Sequence, residues 1–249
     1  MPRKLSIVAP GSFCPRCKQP VKWYDNLPLL SYLMLRGQCR HCGQSITPRY
    51  FTVELLTAAL WVICGIWLSR FPDPQTAWPW LLQSLLLVSS LVAIFYIDLD
   101  HYIIPNVIVL PVAVIGLAAS IAISLTGDMA SFCTQPSCVY ELQPWWAFPL
   151  AGLASALFFL VVAMAKPGGM GMGDMKLAGM LGFFLGKAVL VALFLGFLIG
   201  AVTGVLLMAA GIKGRQSRIP FGPFLAAGAV IALFYGVRLL ELWTGLFQA

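Results

Sequence analysis

Apolar residues run through this chain in long unbroken stretches, at about 51 to 69, 79 to 97, 103 to 125, 147 to 165, 188 to 211 and 221 to 243. Crossing about 30 Å of hydrocarbon takes roughly 20 such residues as helix. A membrane β-barrel would instead show short segments of alternating polarity. The pattern predicts helical spans, preceded by a polar module over residues 1 to 50, so that the expected division is 1–50 and 51–249. A seventh, shorter run lies between Lys176 and Lys187. Ten residues of helix rise only about 15 Å, so this piece either re-enters the membrane or begins earlier, within Gly171-Met-Gly-Asp-Met-Lys176.

Charge decides between these readings. If the short piece spans, residues 1 to 50 contribute eight basic side chains to one side of the membrane, residues 166 to 176 contribute two, and residues 212 to 220 contribute three. That places 13 of the 16 lysines and arginines together, with Arg70, Lys187 and Arg238 opposite. Such a bias marks the cytoplasmic side, and it weakens if the short piece does not cross. Seven spans are therefore expected, in an all-α polytopic membrane protein. The net charge of +7 then reports topology, and the partner it implies is a lipid bilayer, not nucleic acid.

Composition agrees: 60% of the 249 residues are hydrophobic and 10% charged, against roughly 25% charged in a soluble domain. The first apolar run follows a polar region, so the N-terminus does not read as a cleavable signal. Cys133 and Cys138 share an outward loop, where they form either a small disulfide or two free thiols. Cys64, inside the first span, reads as a small buried apolar residue.

Cys14-Pro-Arg-Cys17 and Cys39-Arg-His-Cys42 are two Cys-x-x-Cys knuckles separated by 21 residues. Each knuckle turns two sulfurs toward one point, and four thiolates suit tetrahedral zinc. A closed four-sulfur site leaves no open position, so the metal is expected to be structural. One hairpin within Val21 to Gly37 would absorb the long spacer, and His41 is expected to be solvated.

The nine acidic residues can be assigned in turn. Asp73, Asp128, Glu141 and Glu241 fall on the outward side, and Asp25 lies in the cysteine module. Glu54, Asp98, Asp100 and Asp174 remain near the inner interface. An ionisable group in a membrane is costly and marks a functional site by default. Two carboxylates facing each other from different helices cannot both ionise readily, so they share a proton and serve as base and acid together. Asp98 and Asp100 are two apart on one helix and point in opposite directions, and Asp98 directly abuts the apolar run. The expected pair is Asp98 with Asp174. The residues alone leave a second class open, a transporter or proton relay using membrane aspartates. The glycines of 168–173 lack the Lys-Ser/Thr ending of a P-loop.

At Ile97-Asp98-Leu-Asp-His-Tyr-Ile-Ile-Pro105-Asn106 and Gly171-Met-Gly173-Asp174-Met-Lys176, with Trp23-Tyr-Asp-Asn-Leu-Pro28, the knuckles and Ile219-Pro-Phe-Gly-Pro223, the chain resembles the bacterial type IV prepilin leader peptidase/N-methyltransferase family. The resemblance covers nearly the whole chain and carries the two family aspartates onto Asp98 and Asp174. It implies an inner-membrane aspartyl endopeptidase that removes the basic leader of type IV prepilins and pseudopilins at the cytoplasmic face. It further implies N-methylation of the new N-terminal residue from S-adenosylmethionine, and no residue is assigned to the methyl donor. Members of this type carry another transmembrane helix before the cysteine module. The chain begins at Met1-Pro-Arg-Lys4, and the expectation is a member lacking that helix.

Overall fold

A computed structural model describes residues 12–69, 78–126, 143–165, 170–212 and 219–246. The loop holding Cys133 and Cys138 and the basic stretch 213–218 lie outside the described residues, as do Gly168 and Gly169. The described residues form helices α1 (Leu30–Met34), α2 (Pro48–Leu68), α3 (Trp78–His101), α4 (Asn106–Leu125), α5 (Ala147–Ala165), α6 (Met172–Leu185), α7 (Val189–Ala209) and α8 (Gly222–Leu246). No strand occurs among them; two isolated bridges, Phe13 with Pro20 and Gln38 with Ser45, are the only extended pairings. The chain divides into two compact units, 1–59 and 60–249.

In the first unit each knuckle closes the same way. The Lys18 N–H donates to the Cys14 carbonyl at 2.9 Å, and the Gly43 N–H donates to the Cys39 carbonyl, also at 2.9 Å. Both closing residues take positive φ, 56° at Lys18 and 65° at Gly43. Glycine adopts that conformation freely, whereas lysine is strained there. The spacer between the knuckles is a 3-10 turn, Trp23–Asn26, followed by α1, not the single hairpin expected. The Ser31 hydroxyl donates to the Tyr24 carbonyl at 2.8 Å and accepts from the Leu27 N–H at 3.1 Å, so a serine at the start of α1 closes this turn locally.

The second unit is a helical bundle. Six helical stretches are long and apolar enough to cross a membrane, the fifth running from Met172 to Ala209. That stretch is broken at Gly186, which closes α6 with φ 54°. Its position leaves no room for a Cβ beside Gln143, and the Gln143 Oε1 accepts the Lys187 N–H at 2.7 Å, satisfying a donor freed by the break. Before the break, α6 runs antiparallel to α5: Gly179 lies against Ala156 and Gly182 against Gly152, with a 2.5 Å clash awaiting any Cβ at Gly182. After it, α7 runs antiparallel to α8, since Gly196 meets Leu225 while Gly236 meets Ala188. Among the described residues, both ends of the pair α6–α7 therefore return to the level of Asp98, and the short apolar run is a helix of its own that begins at Met172.

The core lies where α6 is enclosed by α4 and α5 and where α3 packs on α8 and α4. Leu177, Met180, Leu181 and Leu185 of α6 are fully buried. A polar thread crosses this interior. Gln83 of α3 donates to the Ser120 hydroxyl at 2.6 Å, and Ser120 donates to the Phe183 carbonyl at 2.8 Å. Cys64 is buried.

Candidate active site and metal centre

Asp98 occupies the last turn of α3, which continues to His101, four residues beyond the end of the apolar run. Facing the bundle, it is 4% exposed; Asp100, two residues on, is exposed. One oxygen of Asp98, Oδ2, accepts the Gly222 N–H at 3.0 Å. That donor is one of the unpaired N–H groups of the first turn of α8, and Pro223 behind it begins the helix with φ already set. A Cβ on Gly222 would stand 2.7 Å from the same oxygen, so the backbone approaches Asp98 this closely only because residue 222 is glycine.

Asp174 occupies the first turn of α6 and is 8% exposed. Its N–H donates to the Gly171 carbonyl at 3.1 Å, and its Oδ2 accepts the Gly171 N–H at 3.2 Å. This reciprocal cap fixes the carboxylate at the positive end of the helix dipole. The start of α6 is pressed against the loop after α3: a Cβ on Gly173 would lie 2.9 Å from the Ile104 Cβ. On the rim, the Lys176 ammonium donates to the Asn106 Oδ1 at 2.9 Å, tying the first turns of α6 and α4.

The two carboxylates thus come from different helices at one end of the bundle, each buried and each accepting one backbone N–H. Phe159, Phe197 and Phe221 stack beside them, with centroids 5.7 Å apart between the first two and 5.0 Å between the last two. This aromatic wall holds the residue before Gly222 in place. Tyr102, whose N–H donates to the Asp98 carbonyl at 2.9 Å, closes α3 with φ 54°. Sequence reasoning assigned no contact to Gly222, Phe221 or Ile104. The run Phe221-Gly-Pro223 held the signal, a glycine just ahead of a helix-starting proline.

The four cysteine sulfurs of the first unit all lie within 4.8 Å of one another, with Cys14 to Cys42 at 3.9 Å and Cys17 to Cys39 at 4.0 Å. A tetrahedron with Zn–S near 2.3 Å has edges of about 3.8 Å, so the residues fit a tetrahedral metal. The backbone N–H groups of Cys17 and Arg16 hold the Cys14 thiol down to about 6. At Cys17 the Gln19 backbone favours the thiolate, but burial and the sulfurs of Cys14, Cys42 and Cys39 outweigh it and push the thiol up to about 11. Sulfurs competing in this way for protons are what a bound dication relieves. Around the cluster, Arg40 grips Asp25 with contacts of 2.6 and 2.8 Å and holds its carboxyl below the ordinary carboxylate range. His41 is exposed, as expected.

A polytopic helical membrane protein with a buried aspartate on each of two helices and a four-cysteine metal-binding group is the class these features define. Residues 1–68 match the bacterial peptidase A24 N-terminal domain, and residues 85–205, which include both aspartates, match the type IV leader peptidase family. A prepilin leader peptidase/N-methyltransferase of Bacillus subtilis is 33% identical over 244 residues, covering 98% of this chain and 89% of the relative. Proteins of the same description from Aeromonas salmonicida and Legionella pneumophila are each 35% identical, covering 94% and 97% of this chain and 74% and 78% of their own lengths. The chain belongs to the type IV leader peptidase family. No solved structure matches it.

Proposed function

We propose that this chain is an inner-membrane endopeptidase that removes the leader from type IV prepilins and pseudopilins, with Asp98 and Asp174 as its catalytic pair. The observation that carries this reading is the placement of two buried carboxylates from separate helices at one end of the bundle, within a chain similar from end to end to prepilin leader peptidases. One carboxylate takes a proton from water as the resulting hydroxide attacks the carbonyl after the last leader residue. The other gives its proton to the departing amine, and the pair ends with one proton, as it began. The Gly222 N–H, held on Asp98, fixes the orientation of that carboxylate through both steps.

The bias of basic residues puts this end of the bundle and the four-cysteine module on the cytoplasmic side. Zinc is the metal that the four sulfurs suit, and it stiffens the module over residues 1 to 50 without an open coordination position. The relatives' double name supports a second activity, N-methylation of the new N-terminal residue with S-adenosylmethionine as donor. A transporter or proton-relay reading finds no support among the relatives, and no acidic residue lies mid-span to extend a pathway.

Purified protein mixed with a synthetic prepilin tests the peptidase. Asp98→Asn and Asp174→Asn are each expected to abolish leader removal, while Asp100→Asn, at the exposed position, retains it. Full cleavage by either of the first two variants would overturn the pairing. Labelled S-adenosylmethionine offered with cleaved pilin tests the methylation.

A further inference from the structure

Helix α1 packs one side on the first turns of α2. The Tyr32 ring lies 5.2 Å from that of Phe51, and the Leu29 N–H donates to the Glu54 Oε2 at 2.8 Å. Phe51 and Glu54 stand three and six residues past the first residue of α2, about 4.5 and 9 Å along its axis. A 21-residue helix rises about 31 Å and needs nearly all of that length to cross hydrocarbon. The depth at which α1 sits beside it is therefore the boundary between headgroups and acyl chains, not bulk water. Glu54, an ionisable group inside a span, is satisfied there by the α1 backbone.

The other side of α1 is exposed among the described residues of the unit. Leu30, Leu33 and Met34 share one face at i, i+3 and i+4, Leu33 being 62% and Met34 73% exposed, and Trp23 on the preceding turn is 79% exposed. Soluble surfaces rarely gather large apolar side chains in this way. The unit is basic: its described part carries Arg16, Lys18, Lys22, Arg36, Arg40 and Arg49 against only Asp25 and Glu54. Both carboxylates are already engaged, by Arg40 and by the Leu29 N–H. Lys22 precedes Trp23 and Arg36 follows Met34. An amphipathic aromatic and apolar face flanked by cations, level with the end of a membrane helix, has the chemistry of the interfacial belt.

We propose that α1 and the Trp23 turn insert into the headgroup–acyl boundary of an anionic leaflet, so that the four-cysteine module is a membrane-seated unit and not a freely projecting one. The apolar face gives up its contact with water to acyl chains, and the surrounding lysines and arginines meet lipid phosphates.

The test places the photoreactive residue p-benzoylphenylalanine at position 34 of the full chain in nanodiscs containing phosphatidylglycerol. Irradiation is expected to give chain carrying the added mass of one phospholipid, with and without a prepilin peptide present. Introducing Leu30→Asp and Leu33→Asp together is expected to lower that adduct yield several-fold. Adducts to the peptide alone would assign the patch to substrate, and the absence of any adduct would assign it to solvent; either result overturns the proposal. So would an undiminished yield in a folded double variant. The readout is a lipid adduct, so it stands or falls separately from the peptidase reading.

Discussion

Replacing Gly222 by alanine isolates the backbone contact on Asp98. The new Cβ would lie 2.7 Å from Asp98 Oδ2, whereas ordinary carbon–oxygen approach stops near roughly 3.3 Å. The carboxylate must then retreat by about 0.6 Å. That movement stretches the 3.0 Å bond from the Gly222 N–H to about 3.6 Å, beyond useful hydrogen-bonding range. A hydrogen bond to a charged group contributes about 1.5–3 kcal/mol, and with Asp98 in the proposed catalytic role its loss lowers kcat by about one to two orders of magnitude. Residue 222 opens a helix, where alanine is at least as favourable as glycine, so the fold should persist. The assay is steady-state cleavage of a synthetic prepilin by purified wild type and Gly222→Ala, with thermal unfolding run beside it. The expected result is a depressed kcat, a KM changed little, and a melting midpoint lowered by no more than the loss of that one bond explains. A kcat within twofold of wild type would show that the Gly222 contact does not orient the catalytic carboxylate.

Two further predictions concern the support of the site. Ser120→Ala removes the donor to the Phe183 carbonyl and the acceptor for Gln83; measured by thermal unfolding in detergent, it should cost about 0.6–1.7 kcal/mol, and a neutral result would show that the thread does not hold α6. Removing metal with a chelator, or introducing Cys39→Ser, should expose the first unit to protease while the helices of the second unit keep their circular dichroism, because four converging thiolates repel one another without a cation between them and metal affinity is folding free energy.

Most of the fold could be read from hydropathy because every apolar helix but one is about as long as the hydrocarbon core is thick. The short helix was the ambiguous case, and the asymmetry of lysines and arginines, not its own composition, pointed to a crossing. What the structure shows there is a break at Gly186, where a positive φ and a side-chain amide from Gln143 let the chain reverse. Period-two geometry was enough to separate Asp98 from Asp100. Helix ends were less legible: α3 outlasts its apolar run by four residues because Leu99 and the flanking polar side chains continue the helix at the interface. The partner of Asp98 was the hardest to read. Gly222 lies 124 residues from Asp98 in sequence, and the one local sign, a glycine just ahead of Pro223, does not say which carboxylate it meets. Within the cysteine module the spacing picked out the four sulfurs that the structure brings together, but the spacer's helical turn escaped notice because its serine-capped hydrogen bonds are formed over only a few residues.

The brevity of α6 has a consequence for water. Its 14 residues rise about 21 Å, some 9 Å less than a hydrocarbon core of about 30 Å, and local thinning of the bilayer is one way such a mismatch is met. Thinning at the end marked by the Gly171 cap and the Asp174 carboxylate would bring the dip over the aspartates. Solvent can then come down to two carboxylates that remain buried among side chains, and a peptide bond near the membrane surface need not be dragged into oil to be hydrolysed.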